Sequence, residues 1–258
     1  MLLFYIGIIL VVSVILFGRM RYEATLCQVL RHTVHSSNSS QDLTLFFISD
    51  IHFRTLPKKW VEEMMKEEID YVIIGGDLAE RHVPEERIMH NLQQLRKIAP
   101  IFYVYGNNDR EIGEERLERI LKEQDVHVLR NNSVCLTQHS DWMICGTDDP
   151  STRRADIYQT LAGCSEAKEV IFVSHSPVFF KKADELAKIR LKLAGHTHGG
   201  QIRFGPLGLH ERGSFQVREG HATLVSNGYG TTKIPLRLGA PAETHIIKIE
   251  RMIEEDLQ

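Results

Sequence analysis

The chain has 258 residues, 43% of them apolar and 25% charged, which is enough to bury one sizeable core, so a single globular domain is expected. A formal net charge of −3 supplies no broad basic field and disfavours bulk nucleic-acid binding. The four cysteines, Cys27, Cys135, Cys145 and Cys164, show neither CxxC spacing nor the density of a disulfide framework, and they read as ordinary buried thiols of a reducing compartment.

Met1 to Phe17 is apolar apart from Gly7 and Ser13. As a helix this run measures about 26 Å, close to the roughly 30 Å of a hydrocarbon core, so it reads as a membrane anchor with snorkelling ends. A cleaved signal peptide is the competing reading, but no Lys or Arg precedes the run and no small-x-small cleavage site follows it. Arg19 and Arg21 come after the helix, and the positive-inside rule then puts the downstream domain of a single-pass protein in the cytoplasm. The expected organisation is an anchor over 1–20, a linker over 21–41 that includes the polar stretch Ser36 to Gln41, and a globular domain over 42–258.

Within that domain, Leu43 to Ser49, Tyr71 to Ile74 and Ile101 to Tyr105 are short, β-rich and nearly continuous in apolar character, as strands covered on both faces are. Lys58 to Glu68 and Pro84 to Ile98 lie between them with helical spacing, a β-α-β-α-β series that predicts parallel strands with crossover helices. A further helix is expected over Glu111 to Glu123. The later runs Trp142 to Cys145, Val170 to Ser174, Leu191 to Ala194, Ala222 to Ser226 and Thr244 to Ile249 predict a second, mixed sheet.

The chemistry sits where these strands end. Asp50 follows the first, Asp77 the second and Asn107 the third, and open α/β sheets bind ligands outside the carboxyl ends of their strands. Asp50-Ile51-His52 sets a carboxylate and an imidazole two apart, on the same side of an extended backbone. Gly75-Gly76 and Gly106 permit sharp turns and close approach, although glycines also simply end strands. Later, His175 follows an apolar strand, and Gly195-His196-Thr197-His198-Gly199-Gly200 presents two imidazoles from one tight loop. Any one of the thirteen histidines is more often a surface or hydrogen-bonded core residue than a ligand. The weight comes from all these elements occurring together, each at a predicted strand end. Imidazoles, carboxylates and an amide oxygen suit manganese, iron, zinc or cobalt better than calcium. Seven ligands exceed one tetrahedral site but serve two neighbouring ions that share a carboxylate. Such pairs activate a hydroxide for in-line displacement at phosphorus, which predicts phosphoester hydrolysis.

Asp50-Ile51-His52, Gly76-Asp77, Gly106-Asn107-Asn108-Asp109, His175 and Gly195-His196-Thr197-His198 together resemble, in family order, the pattern of the calcineurin-like metallophosphoesterases. The resemblance runs from Leu43 to about Glu250 and implies a four-layer αββα sandwich of two mixed sheets, here preceded by a transmembrane helix. It implies one metal on Asp50, His52, Asp77 and His198 and a second on Asp77, Asn107, His175 and His196, with Asp77 as the bridge and manganese the first expectation. The extended Gly-His-Thr-His-Gly-Gly-Gln201 motif, Gly228-Tyr229-Gly230 and the loop Pro235 to Pro241 are similar to a bacterial membrane-associated branch that includes UDP-2,3-diacylglucosamine hydrolase-like enzymes, which cleave a pyrophosphate.

One position departs from the family: Asn108 stands where a histidine is usual. That histidine is held to stabilise the transition state and assist the leaving group, and Asn108 cannot act as an acid, although its amide can donate to a phosphoryl oxygen. The expectation is a preference for good leaving groups, as in pyrophosphates and activated diesters. Asp109 is expected to orient its neighbours or to cap the following helix, and Glu80, where relatives often carry Asp, to be a change outside the ligand set. Arg110, Arg203 and Arg237 lie near motifs, and Arg237 is the best placed to contact substrate phosphate. The expected partners are a phosphoester, lipid-linked or nucleotide-linked, and a membrane through residues 1–17, with no obligate protein partner. A catalytically weak metal-binding scaffold and a nuclease are the alternative readings.

Overall fold

The computed structural model describes residues 1–252, so the last part of the domain expected over 42–258 lies outside the described residues. Helix α1, Leu2–Thr25, continues past the apolar run through Arg19, Arg21 and Glu23. It is long and apolar enough to cross a membrane, with a mean hydropathy of 2.4 over its best window and none of that window buried.

The strands are β1 (Gln28–Ser36), β2 (Leu43–Ile48), β3 (Tyr71–Ile74), β4 (Ile101–Tyr103), β5 (His127–Val128), β6 (Asn132–Cys135), β7 (Trp142–Gly146), β8 (Glu169–Val173), β9 (Leu191–Ala194), β10 (Ser214–Arg218), β11 (His221–Val225) and β12 (Glu243–Arg251). The remaining helices are α2 (Lys58–Met64), α3 (Glu85–Arg96), α4 (Glu114–Glu123), α5 (Ile157–Leu161) and α6 (Phe180–Leu186). Two mixed six-stranded sheets result, in the orders β1-β12-β2-β3-β4-β5 and β10-β11-β9-β8-β7-β6.

Side-chain alternation along the strands explains the layers. On β2, Leu45 and Phe47 point to the space between the sheets, where they meet Ile73, Val104, Ile144, Val173 and Leu193. Phe46 and Ile48 point the other way, onto Trp60 and Val61 of α2 and Ile88, Leu92 and Leu95 of α3. The outer face of the second sheet, with Val170 and Phe172, packs on Ile157 and Leu161 of α5 and Phe180 and Ala183 of α6. Helices therefore cover both outer faces, giving the αββα sandwich. Each fully buried Leu, Ile or Phe stabilises by about 1.5–3 kcal/mol through area removed from water.

Three expectations change. The segment 21–41, read as a linker, holds the last turn of α1 and all of β1, which runs parallel to β12 over nine residue pairs. Its strand signal is weak because only Val34 and Ser36 of β1 are buried, so it lacks a clean apolar alternation. The run Thr244 to Ile249 belongs to the first sheet rather than the second, where β12 lies antiparallel to β2. Of the four thiols read as buried, Cys145 and Cys164 are, while Cys135 is exposed and Cys27 half-buried.

Candidate metal centre

Parallel register brings the strand ends together. In the first sheet β2, β3 and β4 run side by side, and in the second β8 and β9 do. Main-chain bonds then stitch the loops that follow: Asp50 N–H donates to Gly76 O at 3.0 Å, Ile51 N–H to Asp77 O at 2.8 Å, and Gly195 N–H to His175 O at 3.0 Å. Between the sheets, the His196 N–H reaches both carboxylate oxygens of Asp50 at 3.2 Å. A Cβ at Gly195 would overlap Asp50 Oδ2, and one at Gly106 would overlap the Asp77 carboxylate, so these glycines are demanded by close approach.

Five side chains of the expected ligand set stand on left-handed backbone: Asp50 at φ 55°, His52 at 52°, Asp77 at 51°, His196 at 73° and His198 at 49°. Non-glycine residues in this region cost about 1–3 kcal/mol each and cluster where function over-determines the backbone. Periodicity carries no signal for them.

Two groups of atoms converge. In the first, Asp50, His52 and His198 each offer a ligand atom, with His52 Nε2 at 3.2 Å from His198 Nε2 and His198 Nε2 at 3.4 Å from Asp50 Oδ1. In the second, His175 Nε2 lies 3.4 Å from Asp77 Oδ2, 3.1 Å from Asn107 Oδ1 and 3.1 Å from His196 Nδ1, which is itself 2.9 Å from Asn107 Oδ1. His175 Nδ1 donates to Gly75 O at 2.9 Å, which turns Nε2 into the site. A carboxylate oxygen and an amide oxygen thus converge on an imidazole nitrogen, an arrangement that a proton on Nε2 or a metal ion in its place satisfies. The oxygen and nitrogen donors fit a borderline divalent metal.

Burial pulls His175 down, but Asp77 and then Asp50 outweigh it and raise the ring to about 10, so in the metal-free chain a proton holds these groups together. Burial pushes Asp77 up, but His175, His52 and the Asn108 N–H outweigh it, and the carboxyl is held well below its usual range. Burial, seconded by Arg237 and His52 against Asp50, pushes His198 down to about 3 and keeps it neutral.

All seven expected ligands are brought together, and Asp50, His52, Asp77, His175 and His198 are buried while His196 opens to solvent. Around them, His52 Nδ1 faces Glu80 Oε2 at 3.1 Å, a carboxylate–histidine pair that aims Nε2 into the site. Asp109, fully buried, accepts from Asp77 N at 2.8 Å, Gly106 N at 2.7 Å and Ala79 N at 3.1 Å, and so ties the β3 and β4 loops to each other. It positions the site and has no open approach to substrate. Asn108, expected to offer its amide to substrate, donates it to Asp77 Oδ2 at 2.8 Å and its main-chain N–H to Asp77 Oδ1 at 2.8 Å.

Arg237 corrects the expectation most sharply. It is fully buried and donates to Gly230 O, Ala240 O, Asn227 O, Gly228 O and His198 O, with Nη2 3.2 Å from His198 Nδ1. A guanidinium so consumed braces the ligand from behind and cannot clamp a phosphate. Arg203 is spent similarly, on Gly199 O, Pro206 O and His210 O, and Arg110 pairs with Asp148 and Glu114. Asn227 and Glu243, which hydrogen-bond each other at 2.8 Å beneath Arg237, have no motif that announces them. Only the burial-prone Gly228-Tyr229-Gly230 beside Asn227 hints that this loop packs closely.

A family model for calcineurin-like phosphoesterases matches residues 43–200. YpbG of Bacillus subtilis (strain 168), described only as uncharacterized, is 43% identical over 209 residues, covering 80% of this chain and 81% of its own length. A Bos taurus transmembrane protein with a metallophosphoesterase domain is 30% identical over 234 residues, 80% of this chain and 52% of its own. Among solved structures, the 5'-nucleotidase precursor from Thermus thermophilus superposes with a TM-score of 0.51 at 15% identity, over 81% of this chain and 54% of its own, a likeness of fold alone. This chain thus spans about half the length of that structure.

Proposed function

The chain belongs to the calcineurin-like phosphoesterases and is a metal-dependent phosphoester hydrolase, and on that premise we propose that it cleaves phosphodiester or pyrophosphate bonds at a two-metal centre. Asp50, His52, Asp77 and His198 would hold one ion and Asp77, Asn107, His175 and His196 the other, with Asp77 shared and manganese the preferred metal. The observation that carries this reading is the convergence of Asn107 Oδ1 and Asp77 Oδ2 on His175 Nε2, at 3.1 and 3.4 Å, beside the Asp50, His52 and His198 group. Bound divalent ions supply Lewis acidity that makes water nucleophilic at neutral pH and offsets charge on phosphoryl oxygens.

The chain's own residues do the rest. Gly75 O fixes the His175 ring, Glu80 the His52 ring and Asp109 the Asp77 main chain, so the ligands keep their geometry without reorganising. Asn108 stands beside Asp77 with an amide that donates but cannot protonate a departing oxygen, which favours substrates with good leaving groups. Helix α1 anchors the domain to a membrane, with the domain on the cytoplasmic side where Arg19 and Arg21 emerge, so a lipid-linked or nucleotide-linked phosphoester is the favoured substrate class.

The test uses the full chain in lipid nanodiscs with manganese, a chromogenic phosphodiester, an alkyl phosphomonoester and a UDP-sugar pyrophosphate, with Asp77→Ala as the control. Diester or pyrophosphate turnover that exceeds monoester turnover and vanishes in Asp77→Ala is expected. Two bound metals without turnover of any of the three would leave a scaffold as the better description.

A further inference from the structure

The loop that carries His196 and His198 runs on into a turn with an unusual surface. Phe204, Leu207 and Leu209 are 64%, 74% and 88% exposed, and Ile234 on the neighbouring loop is 45% exposed. Single exposed apolar residues are ordinary, but four on two adjoining loops make a patch. The turn is not loose. Phe204 and Leu207 pair through their main chains at 2.9 and 3.2 Å, and Arg203 holds Gly199 O at 3.1 Å and Pro206 O at 2.9 Å from beneath. The fold therefore presents these side chains outward at a built corner.

Their position relative to α1 is set by main-chain bonds. Arg203 N–H donates to Leu238 O at 2.7 Å and Leu238 N–H to Gln201 O at 2.9 Å, which joins the turn to the 236–239 loop. That loop in turn binds the end of α1: Arg237 N–H to Met20 O at 3.0 Å, Gly239 N–H to Glu23 Oε2 at 2.7 Å and Arg21 Nη1 to Pro235 O at 3.2 Å. Met20 is three residues beyond Phe17, about 4.5 Å along the helix, inside an interfacial layer roughly 5–8 Å deep on each side of the hydrocarbon core. Arg212 and Lys233 are exposed close in the chain to Leu209 and Ile234, as is Glu211, exposed Arg21 donates to Pro235 O, and Tyr22, 65% exposed, sits where aromatic residues gather at membrane interfaces.

We propose that the turn 204–209, with Ile234, docks into the interfacial layer of the bilayer that α1 enters, so that the phosphoester hydrolysed at the metal centre is one displayed at headgroup level. This rests on α1 as a membrane anchor and on the phosphoesterase reading of the site. Lipid is the occupant because the patch is joined through the 236–239 loop to the helix that leaves the bilayer and combines apolar tips with exposed cations nearby in the chain, the pattern of an interfacial surface.

The test places Leu209→Trp in the full chain, in nanodiscs of phosphatidylcholine with a minority of phosphatidylglycerol and with brominated acyl chains. Trp60 and Trp142 are 7% and 0% exposed and give a constant background. Tyr158→Trp, exposed on α5, is the control. Quenching of the Leu209→Trp signal several-fold beyond the control, with a blue-shifted emission, is expected, and equal quenching of the two overturns the docking. Second, the Leu207→Ser, Leu209→Ser double variant is expected to lose about tenfold or more in hydrolysis of an acylated chromogenic phosphodiester in the same bilayer, while keeping its rate on a water-soluble one. Equal loss on both overturns the proposal. If the unaltered chain hydrolyses neither, the phosphoesterase reading fails, and the quenching still decides whether the turn meets lipid.

Discussion

Replacing Arg237 by methionine removes a fully buried guanidinium that donates to the carbonyls of His198, Asn227, Gly228, Gly230 and Ala240. Burial pushes its pKa down to about 10, which leaves it charged at neutral pH. Hydrogen bonds to a charged donor contribute about 1.5–3 kcal/mol each, and each buried carbonyl left without a partner costs about 1–3 kcal/mol. Simple addition overshoots because the loop relaxes and admits water, so the roughly 3–5 kcal/mol measured for breaking buried charged networks is the better figure. At about 2–4 °C per kcal/mol for a chain of this size, the melting temperature should fall by roughly 6–20 °C. Differential scanning fluorimetry of the full chain reads this. Steady-state kinetics on a soluble phosphodiester should show kcat falling with metal occupancy and an unchanged KM, since Arg237 touches no substrate. An unchanged melting temperature with a strongly raised KM would refute the bracing role and restore the phosphate clamp.

Other perturbations separate the remaining contributions. Glu80→Ala releases His52 Nδ1 and should weaken manganese binding by about 10- to 100-fold in a titration of metal-free protein, whereas an unchanged affinity would remove Glu80 from the site's support. Asn108→His returns an acid to the site and should raise alkyl phosphomonoester hydrolysis relative to diester by roughly 10²-fold, and no gain would show that leaving-group protonation is not the missing step. His245, 1% exposed on β12, is pushed down to about 3 by burial and then by His32. The unfolded chain takes up that proton near pH 6.5 and the folded chain does not, so its contribution to stability is complete above about 6.5 and shrinks as pH falls, by roughly 2 kcal/mol at pH 5. Denaturant titrations at pH 7.5 and 5 should show the unaltered protein losing about 2 kcal/mol more stability over that interval than His245→Phe, and parallel pH dependence would refute it.

The first sheet's centre and the chemistry on it are legible because both are local. Tyr71–Ile74 and Leu191–Ala194 are short apolar runs between polar turns, and their boundaries in the fold coincide with the runs. The strands that escape such reading are those whose pairing is remote. Strand β1 alternates poorly and finds its place only against β12, more than two hundred residues later, and β12 itself joins the sheet of the early strands. A pattern that records burial on each side of a strand says nothing of which neighbour supplies it.

The metal centre divides the same way. Asp50, His52, Asp77 and the His196–His198 pair announce themselves through spacing at strand ends, because a ligand must be carried on a short loop with a fixed direction. Arg237 looked like a phosphate contact for equally local reasons, a cation in a Pro/Gly-rich loop. Its role depends on carbonyls from residues 198 and 227–240 folding around it, which no local pattern encodes. The left-handed backbone at five ligand residues and the convergence of Asp77 and Asn107 on His175 point to one consequence. The fold stores backbone strain in the site, and the packing of two apolar sheets offsets it. Hydrogen bonds to Asp109 and to Gly75 O already hold the Asp77 main chain and the His175 ring in place, so a divalent ion would meet a site organised beforehand. Metal binding should therefore raise stability while leaving the architecture unchanged.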